Sequence, residues 1–172
     1  MITGLLAATL LYAHPAQLDC PLAEMTAAER TALEQVIVEQ RPNTDPRTQS
    51  VHRVAQLCAG RFDWPPDATG RATGYVFVAV AVDLARRRLV AHGIDVASLE
   101  RRLAADQGLQ DVSADLNAAR AAALGFVERN RRYMMSLAGP QSRQSEEKLT
   151  MMGIYIASRF AMASIRSWFA DR

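Results

Sequence analysis

The chain has 172 residues, and its 49 % apolar content includes 30 alanines. Val, Ile, Leu and Phe supply 40 residues, too many for a disordered chain, while 9 Gly, 7 Pro and 2 Cys exclude collagen-like, low-complexity and disulfide-dense classes. The formal net charge is only +2, from 19 Arg and one Lys against 18 acidic residues, so no nucleic-acid partner is expected.

Residues 1–16 read as an export signal. They carry no charged side chain, and the apolar run over 5–13 has the length of a signal-peptide core but is too short to span a bilayer. Ala13 and Ala16 offer cleavage points. No basic residue precedes the run, so a buried N-terminal helix is the competing reading. The rest, 17–172, is expected to form a single helical domain with no stable membrane span. Cys20 and Cys58 remain after the leader, too far apart for a CxxC motif. In an oxidising compartment they would form one disulfide, and in a reducing one two buried thiols.

Helical signals then follow in order. Thr26-Ala27-Ala28-Glu29 is a capping box, Leu33, Val36 and Ile37 make a stripe, and Arg41-Pro42 ends the helix. Asp45-Pro46 starts the next, with Val51, Val54, Ala55 and Cys58 on one face and Gly60 at its left-handed end. Residues 61–74 are expected to be irregular. The β-branched run 75–82 favours a strand on propensity, but it continues without a break to Gly93 and no other strand could pair with it, which argues for a helix. Asp95 caps a short helix ending near Gly108. Ser113 caps one running to Gly139-Pro140, and Ser145 opens the last, to about Phe169. That last helix is apolar round most of its circumference, which places it centrally or at a subunit interface such as that of a homodimer. The fold class is therefore all-α, a compact bundle of about five or six helices. Asp83 with Arg87, and Glu128 with Arg132, are four apart and would pair along solvated helix faces.

Chemistry-bearing motifs are sparse. Neither His52 nor His92 has a partner at metal-ligand spacing, so no metal and no cofactor are expected. Met25-Thr26-Ala27-Ala28-Glu29-Arg30 resembles the Leu-Thr-x-x-Gln repeats of periplasmic helical chaperones over six residues, with Glu in place of Gln and no second copy. The capping box accounts for this stretch, and no family is assigned from it. Two groups stand out for recognition. Arg61, Phe62, Asp63 and Trp64 lie on the expected loop, and Trp and Arg are favoured at binding hot spots; alternatively the two rings plug the loop onto the bundle beside the cysteines. Asn130 is a polar residue on an apolar stripe, with Arg132 and Tyr133 beside it.

The functional expectation is a small periplasmic or secreted helical protein that binds another protein, a cell-envelope component or a ligand, without evident catalysis. The alternative is a cell-envelope hydrolase with a carboxylate and arginine site assembled by the fold. An enzyme would bring several of Asp63, Asp83, Glu128, Asn130, Arg132 and Tyr133 into one pocket, whereas a binding protein would expose a groove.

Overall fold

The computed structural model describes residues 14–42, 44–140 and 142–171. Residues 1–13, most of the expected leader, lie outside the described residues. The described chain is all-helical: α1 (Asp19–Ala23), α2 (Ala27–Val38), α3 (Gln49–Phe62), α4 (Pro66–Ala91), α5 (Val96–Ala104), α6 (Gln107–Gln110), α7 (Leu116–Arg129), α8 (Arg131–Ala138) and α9 (Arg143–Ala170), with 3-10 turns at Pro15–Leu18 and Pro46–Thr48. Nine helices replace the expected five or six. The excess comes from short elements (α1 and α6) and from one long pattern that is cut in two.

The cut lies at Asn130. Residues 116–137 carry one continuous apolar stripe, yet α7 ends at Arg129 and α8 begins at Arg131. The Asn130 side chain donates to the Phe126 carbonyl at 3.0 Å, and its backbone leaves helical geometry at φ −105°, ψ 12°. A side-chain amide that bonds the local backbone competes with helix continuation in this way.

The largest departure concerns residues 61–74. Helix α3 runs past Gly60 to Phe62, and the left-handed end position is taken by Asp63 at φ 50°. Helix α4 then starts at Pro66, whose fixed φ and missing N–H suit a first helical position, so 66–74 is helix. The strand-prone run 75–82 is helical too, because it is buried on more than one side. Tyr75 and Ala79 join Ala68 and Ala72 against Ile165, Trp168 and Phe169 of α9. Val76 and Val80 pack with Met25, Leu33, Val51 and Val54 from α2, α3 and the segment before them. Val82, Ala85 and Leu89 enter the main core with α5, α7, α8 and α9. Burial on several faces overrides intrinsic propensity.

Helix ends follow local chemistry. The Thr26–Glu29 capping box closes with reciprocal bonds of 3.3 and 2.8 Å. Asp95 accepts from the Ser98 amide, and Gly93 (φ 75°) ends α4, its amide donating to the Val90 carbonyl and the Ile94 amide to the Leu89 carbonyl. Two expected caps shift. Asp115, rather than Ser113, accepts from the Asn117 amide at 2.7 Å. Ser142, rather than Ser145, caps α9, with Ser145 completing the box at its third position.

Helix α9 is central. It packs along α4 and α7, and α8 and the turn at Pro15–Leu18 cover further sides. Met152, Tyr155, Ile156, Phe160, Ile165 and Phe169 are each at most 2 % exposed, so these side chains are buried within one chain. Asp83 and Arg87 do not pair along α4 as expected. They cross to α2, where Asp83 meets Arg30 at 3.1 Å and Arg87 meets Glu34 at 2.6 Å.

Cys20 and Cys58 are bonded, tying α1 to α3 across a separation of 38 residues. For such a loop the chain-entropy model gives roughly 3–4 kcal/mol. The Cys20→Ser/Cys58→Ser variant should lose about that much unfolding free energy in urea titration. The acid limb of stability has a named source. Glu29 is held down from 4.5 to about 2, first by the Thr26 amide and then by Arg53. A depressed carboxylate contributes fully above its unfolded value and loses that contribution as pH falls through the folded one. Thermal stability should therefore drop between pH 4.5 and about 2, and Glu29→Gln should flatten that drop.

Candidate functional site

The face of α9 that carries Arg159, Met162, Ala163 and Arg166 follows i, i+3, i+4, i+7 spacing, which stacks these side chains in one row. Val82 of α4 and Leu109 of α6 close the row into an open cleft of about 350 Å³. Helix α6 is a single turn and needs anchoring. Asp106 accepts from the Gly108 amide at 2.9 Å and takes the Arg129 guanidinium at 2.8 Å, which sets Leu109 on the cleft wall. The floor is apolar, and two guanidiniums stand along it.

These arginines differ from six others in the chain. Arg30, Arg47, Arg53, Arg61, Arg87 and Arg129 each hold a carboxylate oxygen at 2.6–3.1 Å. Arg159 and Arg166 rest on tyrosine hydroxyls instead. Arg166 donates through Nε and a terminal nitrogen to Tyr75 Oη, at 3.2 and 2.6 Å. Arg159 donates to Tyr155 Oη at 3.2 Å, and Tyr155 in turn donates to Glu100 Oε1 at 2.6 Å. The nearest carboxylate oxygens lie 3.8 Å from Arg159 (Glu100) and 4.0 Å from Arg166 (Asp19), beyond hydrogen-bond range. Glu100 also lies 3.9 Å from Arg86. Burial pushes the Tyr155 hydroxyl up to about 12, with its bond to Glu100 adding to the rise and Arg159 opposing it. Burial raises Tyr75 as well, against the pull of Arg166.

A second, shallower groove of about 330 Å³ runs between α4, α7 and α9, lined by Val78, Leu116, Arg120, Ala157, Ser158 and Ala161. Among the described residues, no three His, Cys, Asp or Glu side chains come together as metal ligands, and no helix is long and apolar enough to cross a membrane.

The residues singled out from sequence lie elsewhere. Arg61 donates to Glu24 at 2.8 Å and to Cys20 Sγ at 3.6 Å. Phe62 stacks on Trp64 with centroids 5.7 Å apart. Trp64 is buried, donates to Gln17 Oε1 at 2.8 Å and meets the edge of Phe169. Asp63 is exposed at the end of α3. Arg61, Phe62 and Trp64 thus form a seal beside the disulfide, and Asp63 stands outside it. Asn130 and Tyr133 also meet: Arg102 lies 3.9 Å over the Tyr133 ring and donates to Asn130 Oδ1, and Tyr133 donates to Ser98. Arg132 is exposed and lies outside this contact. Asp83 sits in its α2 pair, and Glu128 is exposed on α7.

The cleft residues were missed. One signal for them was present: Arg159 and Arg166, seven apart, are the two charged residues of the stretch 149–170. No protein-family model matches the chain, and no curated protein or solved structure is significantly similar to it.

Tyr155→Phe removes the hydroxyl that links Arg159 to Glu100. It should cost about 1.5–3 kcal/mol in chemical denaturation, the scale of a hydrogen bond to a charged group. In the wild type, the Tyr155 contribution should be full below pH 10 and be lost as pH rises toward about 12, where the folded Tyr155 ionises. The variant should show a shallower alkaline limb.

Proposed function

We propose that this chain is an exported helical protein that acts by non-covalent binding in the periplasm or outside the cell. Three features support the reading. The leader-like pattern of 1–16 and the Cys20–Cys58 bridge both suit an oxidising compartment. The observation that carries the binding role is the cleft itself, where two positioned guanidiniums flank an apolar floor of Val82, Leu109, Met162 and Ala163. A pocket of this size, mostly apolar with a few fixed polar groups, suits a ligand or an envelope component. No seryl or cysteinyl nucleophile, histidine or carboxylate pair lines it, so the residues favour binding over hydrolysis. Of the six groups a hydrolase site would have drawn on, Asn130 and Tyr133 share the contact with Arg102, Asp83 sits in its pair with Arg30, and Asp63, Glu128 and Arg132 are exposed.

The reading is tested on the full 172-residue chain expressed in a host with a periplasm. It expects a shortened chain in the periplasmic fraction, with Cys20 and Cys58 oxidised by mass spectrometry. A full-length chain with reduced thiols in the cytosol would refute export. Native mass spectrometry after incubation with envelope extract should show a bound mass on the wild type that is lost from Ala163→Phe, which fills the cleft. Equal spectra for the two proteins would refute the cleft as the binding site.

A further inference from the structure

We infer that the ligand of this cleft is an amphiphilic anion, a carboxylate or phosphate headgroup on a short apolar tail; this deepens the binding reading and rests on it. The headgroup follows from the arginines. Guanidinium forks match carboxylate and phosphate geometry. Arg159 and Arg166 are held in place by Tyr155 and Tyr75, so little ordering remains for binding to impose. A tyrosine hydroxyl is a neutral acceptor and leaves the cationic charge in place. Glu100, which also lies 3.9 Å from Arg86, is 3.8 Å from Arg159, and Asp19 is 4.0 Å from Arg166, so both carboxylates stay outside hydrogen-bond range of the cleft arginines. The tail follows from the floor. Val82, Leu109, Met162 and Ala163 offer nothing to a hydrogen-bonding group, and no aromatic ring lines the cleft for a base or sugar to stack on.

Isothermal titration of the oxidised protein at low salt provides the test, with decanoate, decyl phosphate, inorganic phosphate and decanol as probes. Decanoate and decyl phosphate should bind one to one. Inorganic phosphate, lacking the tail, and decanol, lacking the charge, should each bind roughly tenfold more weakly or worse. Arg159→Gln and Arg166→Gln should each weaken decanoate by about tenfold. Ala163→Phe should abolish binding with both arginines intact, and Arg143→Gln, at the exposed start of α9, should leave it unchanged. Circular dichroism melts confirm that each variant is folded; if one is not, the others carry the test.

Vesicles distinguish the sources of the headgroup. Phosphatidylglycerol vesicles that bind the protein and release it to decanoate identify a lipid. Decyl phosphate binding without vesicle binding identifies a free amphiphile. The inference is overturned if neither amphiphile binds, if inorganic phosphate binds as tightly as decyl phosphate, or if binding survives Ala163→Phe. A neutral mass retained by the wild type in native spectra, with no response to decanoate, would overturn this inference alone and leave the binding reading standing.

Discussion

The packing of α4 against α9 organises the molecule. Helix α9 is 28 residues long, roughly 42 Å at 1.5 Å per residue, and is apolar on nearly every side. Such a helix cannot sit on a surface and must be enclosed. Helix α4, at 26 residues, is long enough to cover one side along most of that length. Its own apolar surface then exceeds what α9 can cover, so α2 and α3 take up Val76 and Val80 on another side. Helices α5, α7 and α8 complete the enclosure near Phe126, Met152 and Phe160. The alanine excess has its use here. Ala68, Ala72, Ala79 and Ala85 are all buried on α4, where small side chains permit close approach of helices and cost no side-chain entropy.

The described elements N-terminal to α4 are secured to this pair by packing and a few specific contacts. Leu18 is fully buried among Trp64, Trp168 and Phe169, and the Cys20–Cys58 bridge closes beside it. The arginines contribute differently. Pairs such as Arg30–Asp83 and Arg87–Glu34 join α2 to α4 at partly exposed sites, where each contributes little to stability, at most about 1 kcal/mol, but fixes which faces meet. A chain rich in arginine and nearly neutral overall can use its charge this way, between helices rather than toward a polyanion.

The all-helical class and several helix starts were legible because their causes are local. Thr26 with Glu29, Asp45 with Pro46 and Asp95 all cap where the sequence placed them, since each needs only a side-chain oxygen two or three residues from an unpaired amide. The misreadings arose where two local signals competed. Ser113 and Asp115 could both cap α7, and the carboxylate took the role. Pro65, Pro66, Gly70 and Gly74 together resemble a loop, yet a proline at the first helical position starts α4 and the burial of Ala68 and Ala72 holds the turns that follow. Asn130 looked like a polar residue inside a helix because the stripe around it is unbroken; the break depends on a bond to Phe126 that periodicity does not encode. The candidate site was the least legible part. Arg159 and Arg166 share a face by spacing alone, but Tyr75 lies 91 residues from Arg166 and Glu100 55 from Tyr155, and only the tertiary fold brings them into contact.

That dependence explains why the cleft and the core form one structure. Tyr75 and Tyr155 are at most 1 % exposed as residues, so close packing fixes their rings and therefore the positions of their hydroxyls. Each hydroxyl emerges where an arginine can reach it. A carboxylate in the same place would hold the guanidinium more tightly but would also cancel its charge. A buried phenol, kept neutral by the same burial that raises its pKa, holds the cation without neutralising it. The residues that hold α9 in the centre of the bundle are thus the ones that hold its two cleft arginines on phenol oxygens, with Glu100 and Asp19 farther off.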